Sequence, residues 1–337
     1  MALPAGIPAG DSEEDYCRST LQLFEDGVEL GPGHAVHADI RATGGGTFSH
    51  WGRTLFFSTS DGSDPRRNGR VYTVAGHGGA AIAGEAGGAI AGYELSLAET
   101  YLHLMRGRGI DPVGTRVLEI GPGRNLGAPV LLACAGAQVT VADRYLSSWR
   151  PDHADVFRAL VAVWPGNVGP IKAVLAGESF DGQIRSVAEP ADAMISVASA
   201  NFDVVLSNAV LEHVGDLAKV AAELKRVSAP GAWHFHQIDF RNHYDMTRPL
   251  EHMLLPRDDF HQALERDWML GCQMRLSEAR ETFRLAGFTL VEEVVNDRAS
   301  ADYLADVLDR LRTSASAYRD WPADDLAVLG ARLVLRA

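Results

Sequence analysis

Cysteine is scarce in this chain of 337 residues: Cys17, Cys134 and Cys272 are odd in number and far apart. Neither a disulfide framework nor a zinc site is expected from that spacing, and the usage suits a reducing compartment. Positive charge is also in short supply, with 31 Lys and Arg against 44 Asp and Glu and a formal net charge of −13. A field of that sign opposes unspecific binding to phosphate backbones and anionic bilayers, so neither nucleic acid nor a membrane is an expected partner. No run of 18 uncharged apolar residues occurs, and Met1 to Asp11 lacks a basic stretch followed by an apolar one. A spanning helix and a secretory leader are therefore not expected, and the expected location is the cytoplasm. What the chain does have is 46% hydrophobic residues, enough for a sizeable core in one large domain with an appended module, or in two modest domains.

Glycine is abundant, and its placement is informative. Residues 115 to 127 read Thr-Arg-Val-Leu-Glu-Ile-Gly-Pro-Gly-Arg-Asn-Leu-Gly. Val117, Leu118 and Ile120 suit a buried strand, while Gly121 and Gly123 let the backbone turn sharply and approach a ligand. The dinucleotide fingerprint needs a third glycine three residues after the second. Here position 126 is Leu and Gly127 follows, a GxGxxxG spacing that disfavours NAD and FAD. Gln138 to Ala142 alternate like a half-buried strand and stop at Asp143, 22 residues past Gly121. That is close to the ~20-residue offset at which an acid meets ribose hydroxyls. A third segment, Asn201 to Val214, couples a buried strand to a helix start with polar residues clustered at the junction.

Glu119, two places before Gly121, completes an E-x-G-x-G pattern that resembles motif I of the class I S-adenosylmethionine (SAM) dependent methyltransferases. The segment from Asn201 is similar to their motif after strand four. The resemblance covers about residues 93 to 337 and implies SAM as cofactor, with S-adenosylhomocysteine (SAH) as product. It implies that Glu119, Gly121, Gly123 and Asn125 surround the methionine end, which the backbone near Asn208 also faces. Asp143, with Arg144 beside it, would meet the ribose; Asp192, with Ala193, would meet the adenine, Glu189 being the fallback acid.

Strands and helices alternate from residue 115 onward, which predicts a mostly parallel sheet with helices on both faces. Leu217, Val220, Ala221, Leu224 and Val227 mark a helix after Asp216, closed by Pro230-Gly231, and Trp233 to Ile238 form the next strand. Phe288 to Val295 and Ala331 to Arg336 read as two more strands. Class I methyltransferases finish with such a pair, the last inserted antiparallel, so the expected class is α/β: a doubly wound, Rossmann-like, seven-stranded sheet with a small β-rich N-terminal module. Residues 1–75 carry that module, read from short runs near Phe24, Phe48, Arg53 to Ser58 and Arg70 to Val74, with a turn loop from Asp61 to Gly69. Residues 76–92 are glycine-rich and read as a linker or lid rather than a helix. The cofactor domain spans 93–337, led by a helix over Tyr93 to Arg106.

The methyl of a sulfonium is already activated, so the enzyme's tasks are in-line positioning of the acceptor and removal of its proton where it is a hydroxyl. Ligands bind beyond the carboxyl ends of the strands, where the loop Asp239-Phe-Arg-Asn-His-Tyr-Asp245 concentrates polar side chains. His243 is the expected base, its ordinary pKa near working pH, with Asp239 or Asp245 to orient it. His213, beside Glu212, is the second catalytic candidate, against an architectural role. Arg241, Tyr244 and Arg275 are the expected acceptor contacts, Arg275 either clamping an anionic acceptor or forming a surface salt bridge. His234 and His236 share one strand face and invite a metal reading with Asp239 or His243, against that of satisfied core histidines. No metal is expected, because no recognised metal motif is present.

The phrases Phe48-Ser-His-Trp51 and Phe57 to Pro65 resemble a small β segment of bacterial saccharide-modifying and surface-polysaccharide proteins, and His50, Trp51, Arg66 and Arg67 are candidate acceptor contacts there. The expected partner is a small-molecule acceptor, a sugar or another hydroxylated compound; an amine acceptor, a SAM-fold scaffold without turnover, and a homo-oligomer remain open.

Overall fold

Apolar strands that alternate with amphipathic helices need a sheet covered on both faces, and the chain builds one. The structure, a computed structural model, describes residues 10, 19, 21–26, 28–30, 40, 45–52, 54–76, 83–243, 245–266 and 271–337. It divides into two compact units, Met1–Ile90 and Ala91–Ala337. The second holds a seven-stranded sheet. Its strands are β6 (Arg116–Ile120), β7 (Gln138–Ala142), β8 (Arg185–Val187), β9 (Phe202–Asn208), β10 (Ser228–Asp239), β11 (Thr289–Arg298) and β12 (Val328–Arg336). The spatial order is β11-β12-β10-β9-β6-β7-β8. β12 runs antiparallel to both neighbours, whereas the other adjacent pairs are parallel. This is the doubly wound α/β architecture that the sequence implied, including its final antiparallel insertion.

The helices are α1 (Ala83–Arg106), α2 (Gly127–Cys134), α3 (His153–Val163), α4 (Gly169–Gly177), α5 (Leu217–Val227), α6 (Arg257–Arg266), α7 (Leu276–Leu285), α8 (Ala301–Thr313) and α9 (Ala323–Leu326). α5 shows how local sequence sets such an element. Asp216 caps it by accepting from the amide of Lys219 at 3.1 Å, and Val220, Ala221, Leu224 and Val227 bury one stripe against the sheet. The core of this unit joins Leu118 and Ile120 of β6, Val205 of β9, Ile238 of β10, Leu333 and Leu335 of β12, and Phe283 of α7. Arg116 ties the entry of β6 to β9, its guanidinium donating to Asp203 at 2.9 and 2.7 Å. No helix among the described residues is long and apolar enough to cross a membrane.

Two local expectations differ from what the chain does. α1 starts at Ala83 and so takes in Gly84, Gly87, Gly88 and Gly92 from the stretch expected to be a linker. Ala83, Ala86, Ala89 and Ala91 among them are the strongest helix formers and offset the glycine penalty. The Pro230-Gly231 pair does not separate α5 from the next strand. β10 begins at Ser228, and the pair forms an irregularity in its ladder with β9 before Trp233, with Gly231 at φ +73°.

In the first unit, the Asp61 to Gly69 loop turns the chain between two short strands, as expected, and those strands belong to different sheets. β3 (Phe48–Trp51) pairs with β4 (Thr54–Phe57), whereas β5 (Tyr72–Gly76) pairs with β1 (Leu21–Glu25), which also pairs with β2 (Val28–Glu29). Leu21, Leu23, Leu30, Phe48 and Leu55 make one shared core. The buried Glu25 carboxylate gathers the Tyr72 hydroxyl and Arg70.

Candidate active site

The apolar strand β6 delivers Glu119 and the glycine turn to the carboxyl edge of the sheet. Gly121 sits at φ +59°, and a Cβ there would lie 2.4 Å from Cγ2 of Val210. Gly123, at φ +71°, would meet nothing within 4 Å, so the turn leaves open space beside it. Gly127 is required for a different reason: a Cβ there would lie 2.7 Å from the Cβ and Cγ of Glu94 on α1. Leu126 between them is fully buried and held at φ +57°, a left-handed conformation that costs a non-glycine residue energy and recurs at binding sites.

α1 supplies groups the sequence reading did not name. Glu94 accepts the amide of Ala128, in the first turn of α2, at 2.7 Å, and burial raises its pKa to about 7. The Tyr101 hydroxyl donates to Glu119 Oε1 at 3.1 Å, while Glu119 Oε2 has no hydrogen-bond partner among the described residues. Burial, reinforced by the charge of Glu94, lifts Glu119 to about 8. Tyr93 accepts from the amide nitrogen of Asn208 at 3.1 Å. Glu94, Ala98, Tyr101 and Met105 recur at i, i+4, i+7 and i+11, so an acid in an apolar helical stripe was the available signal.

At the next strand end, Asp143 Oδ1 accepts the amide of Tyr145 at 2.7 Å. The side chains of Arg144 and Asp192 approach to 3.9 Å, which brings together residues expected at the two ends of the adenosine. Ala193 donates its amide to the carbonyl of Pro190. Glu189 is occupied by the amide of Ser196 at 3.0 and 3.2 Å. Asn125 pairs with Glu94 and so stiffens the glycine turn.

Beyond β9 a 3-10 turn, Leu211–His213, and the loop after β10 converge. His243 Nε2 stands 3.5 Å from Asp239 Oδ2, and the rings of His213 and His243 meet edge to face at 4.9 Å. Arg241 grips Asp239 through Nε at 2.9 and 3.0 Å, and Arg241 and His243 hold that carboxyl far below the usual range against its burial. Asp245 instead takes the amide and hydroxyl of Thr247, so of the two carboxylates it is Asp239 that stands beside His243. Glu212 is buried, and among the described residues no donor meets hydrogen-bonding geometry at either of its oxygens. Burial raises it to about 8, although the amides of Glu212 and Asp239 oppose the rise. Tyr244 lies outside the described residues.

Residues 92–293 match the family described as Methyltransferase domain. The chain belongs to that family. It is therefore a SAM-dependent methyltransferase. Among solved structures, it is similar to a SAM-dependent methyltransferase from Mesorhizobium loti at 12% identity, over 70% of this chain and 96% of that one, with a TM-score of 0.40. Another similar structure is phosphoethanolamine N-methyltransferase 2 of Haemonchus contortus in complex with SAM, at 17% identity, over 71% and 52% of the two chains, with a TM-score of 0.42. Likenesses this distant say nothing of the acceptor. Against curated proteins the sequence has no match.

The remaining expected site residues of the methyltransferase are placed as follows. His234 and His236 are fully buried and form a chain. Ser228 donates to the carbonyl of Leu224 at 2.6 Å, so its oxygen accepts from His234 Nε2 at 2.8 Å. His234 Nδ1 then accepts from His236 Nε2 at 3.2 Å, and His236 Nδ1 accepts from Ser207 at 2.7 Å. Both imidazoles are neutral, His236 pushed down to about 3 by burial. With both rings so engaged, they are core groups rather than metal ligands. Arg275 is neither an exposed ion pair nor an open clamp. It is fully buried, donates to the carbonyls of Phe240 at 2.7 Å, Met274 at 2.9 Å and Val328 at 3.4 Å, and lies over the Phe240 ring. In the first unit, His50 is buried and pairs with Ser19, while Arg66 and Arg67 are exposed and turn toward Asp64.

The turn fits the donor on two counts: Glu119 Oε2 is a buried polar atom without a hydrogen-bond partner among the described residues, and Gly123 leaves open space at the strand end. The raised pKa of Glu119 has a stability consequence. The folded methyltransferase holds a proton there that the unfolded chain releases, so this contribution is complete below about 4.5 and lost as pH rises toward 8. The unfolding free energy of the ligand-free protein, read from urea titrations, is expected to fall between pH 6.5 and 8 by up to about 2 kcal/mol from Glu119. Glu119→Gln, which stays neutral, reduces that fall; an unchanged pH profile in the variant refutes the assignment.

Proposed function

We propose that this methyltransferase modifies a hydroxyl oxygen of a saccharide or another hydroxylated small molecule. The observation that carries the reading is His243 held beside Asp239, beyond the carboxyl end of β10 and next to the turn that follows β9. The donor's sulfonium supplies an activated methyl group. Glu119, Gly121, Gly123, Asn125 and the backbone near Asn208 hold its amino-acid end, Asp143 with Arg144 its ribose, and Asp192 with Ala193 its adenine. His243, oriented by Asp239, accepts the proton of the acceptor hydroxyl as its oxygen attacks; Arg241 keeps Asp239 ionised and Tyr244 contributes to the acceptor side. The saccharide preference is supported by the resemblance of Phe48 to Trp51 and Phe57 to Pro65 to segments of saccharide-modifying proteins.

Incubation with SAM and a library of hydroxylated acceptors is expected to release SAH. His243→Ala should lower turnover by about 10²–10⁴-fold, the usual contribution of a positioned base, with SAM affinity unchanged. Turnover that survives this substitution eliminates the base assignment, and SAH release with amines alone moves the acceptor class to nitrogen.

A further inference from the structure

One buried group is left unused by that scheme: Glu212, a residue 1% exposed, neither of whose carboxylate oxygens has a partner at hydrogen-bonding geometry among the described residues. A buried carboxylate without a donor is costly, and such a group calls for a ligand or a proton. Its neighbours fit a ligand. One donor atom each from Glu212, His213 and His243 lies within 4.8 Å of the others. His213 and Glu212 come from the 3-10 turn after β9, and His243 from the loop after β10, so adjacent strands of the sheet fix the three. Donors bound to one cation at ~2.1 Å stand roughly 3–4 Å apart, so modest rotation of the side chains closes the set.

We propose that Glu212, His213 and His243 form a binding site for a divalent first-row transition cation, with open coordination positions facing the acceptor. Two imidazoles and one carboxylate select Mn²⁺, Co²⁺ or Zn²⁺ over Mg²⁺ and Ca²⁺, which prefer all-oxygen shells. Asp239, 3.5 Å from His243 Nε2, is placed to orient the His243 ring as an outer carboxylate does in metal sites.

This site deepens the proposed hydroxyl methylation and rests on it for the identity of the open ligand. In the metal-bound form His243 is a ligand, and the cation takes over the acidification of the acceptor. The acceptor O–H ionises on the cation and its proton leaves to solvent. The alkoxide oxygen then forms the new O–C bond as the C–S bond breaks, and that electron pair returns to sulfur to give SAH.

The test uses the full chain after dialysis against EDTA. Titration with Mn²⁺, followed by electron paramagnetic resonance and calorimetry, is expected to show one site per chain, weakened at least tenfold in Glu212→Gln and in His213→Ala. SAM binding is measured separately in EDTA and should persist. Failure of Mn²⁺, Co²⁺ and Zn²⁺ alike to bind overturns the site, as does equal binding by the wild type and both variants when circular dichroism shows all three folded. Metal binding intact with no SAH from any hydroxylated acceptor supports the site and rejects the reaction; SAH release unaffected by EDTA or added Mn²⁺ rejects the metal's role and leaves the reaction standing.

Discussion

Gly121→Ala is expected to weaken SAM binding by about 100-fold or more, equivalent to ~2.7 kcal/mol, while the protein stays folded. Two effects combine at this position. Its φ of +59° is costly for any residue with a Cβ, by about 1–2 kcal/mol, and that Cβ would press on Val210, 2.4 Å from Cγ2. Relief of the contact must displace either the turn or the segment after β9, and both border the proposed methionine end of the donor. Gly123→Ala separates the two effects, since φ is also positive there but a Cβ would meet nothing within 4 Å; its loss should be smaller. Gly121→Ala combined with Val210→Ala should recover part of the affinity. Calorimetric titration of SAM into the four proteins decides the matter, and wild-type affinity in Gly121→Ala would sink the placement of the donor at this turn.

Arg275→Ala should lower stability by about 3–5 kcal/mol, the cost of emptying a buried charged site and orphaning its partners. The guanidinium donates to three carbonyls contributed by the β10 loop, its own segment and β12, so it fastens parts of the chain far apart in sequence. For a protein of this size each kcal/mol shifts the melting temperature by about 2–4 °C, which makes the expected drop on the order of 10 °C. Arg275→Lys keeps a charge but loses the planar fork, and should restore less than half. Scanning calorimetry reads this directly. A raised KM for the acceptor with an unchanged melting temperature would return Arg275 to the role of acceptor clamp.

The strands and turns at the carboxyl edge of the sheet were legible because their signals are local. Glycine spacing after an apolar strand, an acid at the end of the next strand and polar residues at a strand-to-helix junction each describe a few consecutive residues. The final β11 and β12 pair followed from apolar alternation together with the family resemblance. Glu94, Tyr93 and Tyr101 went unread because they act across space, from a helix that precedes the motif. The stripe that Glu94 and Tyr101 share with Ala98 and Met105 reads as plain core packing unless the acid within it is noticed. Arg275 misled for the opposite reason: a charged side chain normally stays at the surface, and two of the three carbonyls that receive it are more than 30 residues away. Glu212 was read only as a neighbour of His213, since nothing in the order of residues shows that a carboxylate lacks donors.

The position of β12 between β10 and β11 bears on biosynthesis. Gly330 pairs with Asp239 on one side and with Asp297 on the other, so the two halves of that edge have no ladder between them until residues 328–336 leave the ribosome. A nascent chain halted before Val328 presents β10 with a bare row of amides and carbonyls, a template for intermolecular pairing. Ribosomal pausing or premature termination in this stretch should therefore yield aggregates rather than a smaller soluble enzyme.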